Sequence, residues 1–228
     1  MKYSGRLWLA LLSFNATVAL NVYVFAQGIS SLAFLFISNM WVLVSWQIGK
    51  YIDKLNYELD RDALTNAYSR KVAAPIYRKL TRKAVKAKKM VAIFFVDVDH
   101  FKMINDRFGH KAGDLLLQKV AVHLSRLPSD PPATVIRWGG DEFVVMVLCQ
   151  TEEEIAQINR KLLTNMDYVS SQHTVTISIS TGYSIFPHHG NELEQLVEFA
   201  DTQMLWAKRF KKLEQSDRFY LRGERNVR

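Results

Sequence analysis

The chain is 228 residues long, 49% hydrophobic and 12% aromatic, with only five prolines, a composition that builds a core and excludes a disordered chain. Its formal charge of +8 suits an anionic partner, whether nucleotide, nucleic acid or acidic membrane face, without choosing among them. The single cysteine, Cys149, excludes an internal disulfide and a thiolate metal site.

The first fifty residues differ from the rest. Residues 7–26 and 28–49 carry no charge, and each run has the ~20 residues that a helix needs to cross a hydrocarbon core. Gln27, Gly28, Ile29 and Ser30 fall between them, so a transmembrane helical hairpin is expected over 1–49. Lys2 and Arg6 precede the first run and Lys50 and Lys54 follow the second, which places both ends in the cytoplasm. Trp41 and Trp46 read as anchors at the membrane interface. Ser13, Asn15, Thr17, Asn21 and Asn39 are expected to hydrogen-bond to a neighbouring helix. A signal peptide cleaved after Ala26 is the rival reading; the second apolar run that follows at once argues against it. Over the linker, 50–61, Ile52, Leu55 and Leu59 continue the spacing of Ile48, the seam of a short coiled coil or of a stub helix resting on its own domain.

From residue 60 the texture is that of a soluble domain. Residues 71–89 read as a helix with Val72, Ile76, Leu80 and Val85 inward and Pro75 in or near the first turn. Residues 78–89 hold seven Lys or Arg and no acid. This reads as a solvated basic face before a nucleic-acid site, and it also favours anionic lipid. Residues 90–96 form a continuous apolar run, a buried central strand. A helix is expected over 111–127, with Leu115, Leu116, Val120 and Leu124 inward. Two short strands, 135–138 and 143–148, flank Gly139-Gly140 as a hairpin. Further elements are a helix over 151–167 opened by three glutamates, a half-buried strand over 174–180 and a last helix over 193–213. His188-His189 lies in a loop after Pro187 without a third ligand at metal spacing.

Asp97 and Asp99 close the apolar strand, and side chains two apart share one face. Carboxylates at a strand end are hard oxygen ligands for Mg²⁺, with phosphates completing the shell. The hairpin turn adds Asp141 and Glu142 beside Gly139 and Gly140, where glycine permits positive φ and close approach of a ligand. If either hairpin strand neighbours 90–96, Asp141 meets Asp97, and carboxylates around a metal-bound triphosphate can orient an in-line displacement. Taken singly, Asp-x-Asp and Gly-Gly-Asp are ordinary turn formers.

Together they form a pattern. Gly139 to Phe143 spells GGDEF, downstream of Asp97-Val98-Asp99-His100-Phe101-Lys102-Met103-Ile104-Asn105-Asp106 and Gly109-His110-Lys111-Ala112-Gly113-Asp114. With Asp62-Ala63-Leu64-Thr65 at the start and Ala207-Lys208 near the end, the chain strongly resembles the GGDEF family of diguanylate cyclases over about 60–213.

The resemblance implies an α+β domain over 62–215, a central, mainly antiparallel sheet flanked by helices and related to polymerase palms and nucleotidyl cyclases, followed by a basic tail over 216–228. It implies that Asp97, the Val98 carbonyl and Asp141 hold Mg²⁺, with Mn²⁺ as a substitute. Asp141 is also the implied base for the ribose 3′-hydroxyl, with Glu142 a second acid beside it. Lys102 stabilises phosphate charge. Asn105 and Asp114 read guanine, and His110, Gly139, Gly140, Lys208 and Lys212 contact substrate. Two GTP would be joined into cyclic di-GMP with release of pyrophosphate, in a homodimer anchored to the cytoplasmic membrane. Nucleic acid is not an expected partner.

Two departures stand out. Lys211-Lys212-Leu213 replaces the family's Gly-Arg-Asn, and lysine lacks arginine's bidentate fork. Asp130 and Ala133 replace the Arg and Asp of the family's product-inhibition site, which is therefore expected to be absent. The alternative to an active cyclase is an inactive GTP-binding or partner-binding regulator of the same fold.

Overall fold

The computed structural model describes residues 4–28, 32–163, 166–169 and 174–225. The expected turn residues Ile29 and Ser30, and the flanking Lys2, lie outside them, as does the side chain of Arg6. The chain divides into two compact units, Met1–Asp60 and Arg61–Arg228.

The first unit is an antiparallel pair of helices, α1 (Ser4–Ala26) and α2 (Leu32–Asp60), bridged where Ser13 Oγ donates to Ser45 Oγ at 2.6 Å. Among the described residues, one helix is long and apolar enough to cross a membrane: α1, over Leu7–Ala26. Part of the expected second span, the side chains of residues 32–35, 37 and 38, lies outside the described residues. From Lys50 onward α2 is charged. Three polar side chains of α1 bond within their own helix. Asn15, Thr17 and Asn21 donate to the carbonyls of Leu11, Ser13 and Thr17, one turn back on their own helix, because that acceptor is already within reach. Ser13 crosses to α2. Ile48, Ile52, Leu55 and Leu59 are exposed along α2, so the seam is uncovered in the single chain.

The second unit is a five-stranded mixed sheet in the order β1-β3-β4-β2-β7, with β1 (Tyr68–Ser69) parallel to β3 (Thr134–Arg137) and all other pairs antiparallel. At its centre, β2 (Met90–Val98) lies between β4 (Glu142–Cys149) and β7 (Ile179–Phe186). Both faces of β2 are covered, which explains its unbroken apolar run. Ala92, Phe94 and Val96 pack with α5 (His110–Ser125) and α6 (Glu152–Leu162); Val91, Ile93 and Phe95 pack with α3 (Ala73–Ala87) and α7 (Leu193–Arg225). By the two-residue period, Asp97 falls on the α3/α7 face.

Several elements differ from the sequence expectation. α3 is preceded by a 3-10 turn, Arg70–Val72. A short helix, α4 (Phe101–Phe108), precedes α5. The helix expected to reach residue 167 ends at Leu162, and β5 (Met166–Val169) then pairs with β6 (Thr174–Ile177) in a separate hairpin. β7 is a full strand where only residues to 180 were expected, and α7 is helical to Arg225, through most of the expected tail. The approach of α7 to β7 depends on Gly182: a methyl there would collide with the Ala200 carbonyl oxygen and the Met204 nitrogen. Beside it, the buried Ser184 donates to the Leu196 carbonyl.

Candidate active site

Antiparallel pairing sets Asp97 opposite Glu142, and the Val98 N–H donates to the Asp141 carbonyl at 3.3 Å. The strand end and the GGDEF turn, more than forty residues apart in sequence, therefore meet at one edge of the sheet. Trp138 N–H and Gly139 N–H both donate to the Glu142 carbonyl, at 2.8 and 3.3 Å, which closes the turn. Neither Gly139 nor Gly140 has positive φ. Gly139 matters through space, since a methyl there would collide with the Glu142 carboxylate. Gly140 faces open space, so backbone there is approachable.

Arg137, absent from the expected site, ties this turn down. Its Nη1 donates to both Asp62 oxygens, at 2.9 and 3.1 Å, while Nη2 and Nε donate to the Gly140 carbonyl at 2.7 and 3.2 Å. Asp62 also accepts from the Thr65 N–H and hydroxyl at 2.9 and 2.7 Å. Burial alone would raise the Asp62 carboxyl, but the Thr65 bonds and the Arg137 guanidinium hold it below the usual carboxylate range. Arg70, also unexpected, stacks over the Trp138 ring at 4.3 Å.

The cation against Asp97 is Lys208 of α7, whose ammonium donates to Asp97 Oδ1. Lys102, expected near the phosphates, is exposed on α4, where it lines a cleft of about 540 Å³ with His100, Met103, Asp106 and Arg107. One turn beyond Lys208, Lys211 donates to Asp99 Oδ2 at 3.0 Å and to the Ile179 carbonyl at 2.7 Å. Asp99 further accepts from Ser178 Oγ and Ser180 Oγ, each at 2.6 Å. Asp99 thus serves as a brace between β2, β7 and α7. The side chain of Lys212 lies outside the described residues.

The electrostatics of the two aspartates diverge. Burial pushes the Asp97 carboxyl up despite Lys208, and the charges of Asp141 and Asp99 add to that. Glu142 is also pushed up, by burial and by Asp97, Asp141 and Asp201. In Asp99, the two serine hydroxyls and Lys211 outweigh burial and hold the carboxyl low. Burial opposes charge on Lys208, but Asp97, Asp99 and Asp141 raise its pKa. Crowded acids whose mutual repulsion opposes ionisation are the groups a divalent cation would relieve. The donor set, Asp97, Asp141 and a strand-end carbonyl at Val98, consists of hard oxygens suited to Mg²⁺. Among the described residues no three His, Cys, Asp or Glu side chains form a ready metal cluster, so a cation here would draw on backbone and phosphate oxygens as well.

Asn105 lies within α4 with its Oδ1 buried and unpartnered, against Gly113 of α5. A methyl at Gly113 would collide with that oxygen. Asp114 follows Gly113, and His110 is the first residue of α5; both are exposed. The three expected nucleobase and substrate contacts therefore sit together at the α4–α5 corner, which a positive-φ Gly109 makes possible.

Residues 59–213 match the family described as "Diguanylate cyclase, GGDEF domain". The chain belongs to the GGDEF family. It is 34% identical over 149 residues to the bifunctional diguanylate cyclase/cyclic di-GMP phosphodiesterase MucR of Pseudomonas aeruginosa, covering 64% of this chain and 22% of that protein. Over 173 residues it is 31% identical to the diguanylate cyclase TpbB of Pseudomonas aeruginosa, covering 73% and 40%. It thus spans well under half the length of these curated relatives. The solved structure of a truncated TpbB from Pseudomonas aeruginosa comprising only the GGDEF domain superposes with a TM-score of 0.58 at 30% identity, over 65% of this chain and 88% of that one. The coiled coil and GGDEF domain of DgcB from Caulobacter crescentus, in complex with c-di-GMP, shares the fold at a TM-score of 0.65 and 21% identity, over 77% and 93%.

Proposed function

We propose that the chain is a diguanylate cyclase that condenses two GTP into cyclic di-GMP and pyrophosphate. The observation that carries this reading is the register of β2 on β4, which brings Asp97 and Val98 to the GGDEF turn with Lys208 alongside. In this reading Asp97, the Val98 carbonyl and Asp141 hold Mg²⁺ or Mn²⁺, which would neutralise phosphate charge. Asp141 takes the proton of the attacking 3′-hydroxyl, and Glu142 stands beside it. Lys208 leaves Asp97 for the triphosphate, with Lys212 and, from α4, Lys102 supplying further positive charge. Asn105 and Asp114 read guanine: the buried, unpartnered Asn105 oxygen can accept from the base, and a carboxylate accepts guanine N–H groups while repelling adenine's acceptors. His110 and the backbone of Gly139 and Gly140 line the substrate.

Each domain offers one such edge, so the ring requires two domains facing each other, with positioning and electrostatics doing most of the catalysis. The exposed Ile48, Ile52, Leu55 and Leu59 seam supports a homodimer through the linker 50–61. The apolar α1 supports attachment of the region 1–49 to the cytoplasmic membrane, the catalytic domain 62–215 facing cytosolic GTP. The test is to incubate the full chain with GTP and Mg²⁺ and follow cyclic di-GMP, with Asp141→Ala as control. Product from the parent and none from Asp141→Ala is expected. GTP binding without product would favour the second reading, an inactive regulator, for which Lys211 braced on Asp99 in place of the family glycine is the specific support.

A further inference from the structure

α3 has two opposed faces. Ala73, Tyr77 and Ala84 are buried against the sheet. Arg78, Lys79, Arg82, Lys83 and Lys86 are all exposed. At 3.6 residues per turn those five cations fall within about 140° of arc, on the side away from the buried residues. Lys88, left-handed at the helix end, and Lys89 extend the stripe. Among the described residues none of these seven forms an ion pair. No acid interrupts residues 78–89, so the concentration of positive charge is not offset locally.

We propose that the outer face of α3 is a docking surface for the anionic phospholipid headgroups of the bilayer. The proposal rests on the membrane attachment read above, because the apolar α1 keeps the domain within reach of that surface. Charge complementarity supplies the attraction: each Lys or Arg beside an anionic leaflet strengthens attachment about fivefold. The exposed Val85 edges the stripe and can touch the headgroup boundary. Nucleic acid fits less well, since α3 carries no Asn, Gln or exposed aromatic side chain to meet bases. Docking would orient the domain on the membrane as well as tether it.

The test places a fluorophore at position 85 through Val85→Cys in the full chain. Cys149 does not compete for label, being buried with its thiol pushed up to about 11. The labelled chain is mixed with vesicles bearing a lipid-borne quencher, of phosphatidylcholine alone or with about 30% phosphatidylglycerol. Quenching several-fold stronger on the anionic vesicles is expected, lost in about 0.5 M salt. It is also expected to vanish in a variant carrying Gln at all five stripe positions, whose thermal melt is unchanged because every replaced side chain is exposed. Equal quenching on both vesicles, or quenching that survives the five substitutions, overturns the proposal. So does quenching by single-stranded DNA carrying the same quencher, in the absence of anionic lipid, as strong as that on the anionic vesicles. Flotation with pure phosphatidylcholine at high salt separately reports attachment by α1. A chain that fails this loses the anchor, and the stripe is then judged by salt-sensitive flotation with anionic vesicles.

Discussion

Arg137→Met tests the clamp on the GGDEF turn. The guanidinium makes two bonds to Asp62 and two to the Gly140 carbonyl, and the paired side chains are only 18% and 23% exposed. A fully exposed pair contributes about 0–1 kcal/mol, and breaking a fully buried one costs about 3–5 kcal/mol. This intermediate pair is expected to contribute about 2 kcal/mol. Gly140 is exposed, so its carbonyl rehydrates, and its loss adds little more than about 0.5 kcal/mol. Arg137→Met should therefore lower stability by roughly 2–3 kcal/mol. Asp62→Asn should cost less, since an amide oxygen still accepts from Thr65. A double-mutant cycle by urea denaturation should give a coupling of about 1–2 kcal/mol. The pH dependence has a definite sign. The folded Asp62 carboxyl is lowered relative to the unfolded chain, so its stabilisation is present in full above about pH 4 and is lost as pH falls through the folded value. Coupling should thus be intact at neutral pH and vanish in acid. Because Asp141 follows Gly140, turnover of the still-folded Arg137→Met should fall about tenfold, a barrier change of ~1.4 kcal/mol. A coupling near zero at neutral pH, or undiminished turnover, would refute the clamp.

Gly182→Ala forces α7 off β7, where backbone atoms leave no room, and should cost about 3 kcal/mol in urea midpoint terms. Gly113→Ala displaces the Asn105 side chain; the fold should persist while KM for GTP rises about tenfold and preference over ATP narrows. Lys208→Met removes the cation from Asp97 and should cut product formation at least ~100-fold, with the melting temperature nearly unchanged because the lysine is partly exposed. With Asp130 and Ala133 at the product-inhibition positions, initial rates should not change when cyclic di-GMP is added in excess; a non-competitive block would contradict this.

The sequence carried the parts of this fold whose patterns are local. β2 was legible because both its faces are covered, and the β3–β4 hairpin because two apolar runs flank a Gly-Gly turn. β7 was legible only at its start. Its Ser180, Gly182 and Ser184 turn toward α7 and Asp99, so polar and small residues stand where a buried strand usually shows branched apolar ones. α4 was hidden by a charged, eight-residue sequence, and β1 by having two residues. Family spacing pointed to Asp97, Asp141 and the Asn105–Asp114 corner. It could not assign Lys208 to Asp97 or Lys211 to Asp99, since contacts across 111 and 112 residues depend on how far α7 slides along β7. Arg137 and Asp62, 75 residues apart, were beyond reach for the same reason.

The central claim is that Asp97 and Asp141 grip a divalent cation against guanosine triphosphate. Calorimetric binding of a non-hydrolysable GTP analogue to the full chain, with Mg²⁺ or with chelator, tests it most directly. Binding about tenfold or more tighter with Mg²⁺ is predicted for the parent chain, with that gain lost in both Asp97→Ala and Asp141→Ala. Equal affinity with and without the metal, or a gain that survives either substitution, would contradict the account.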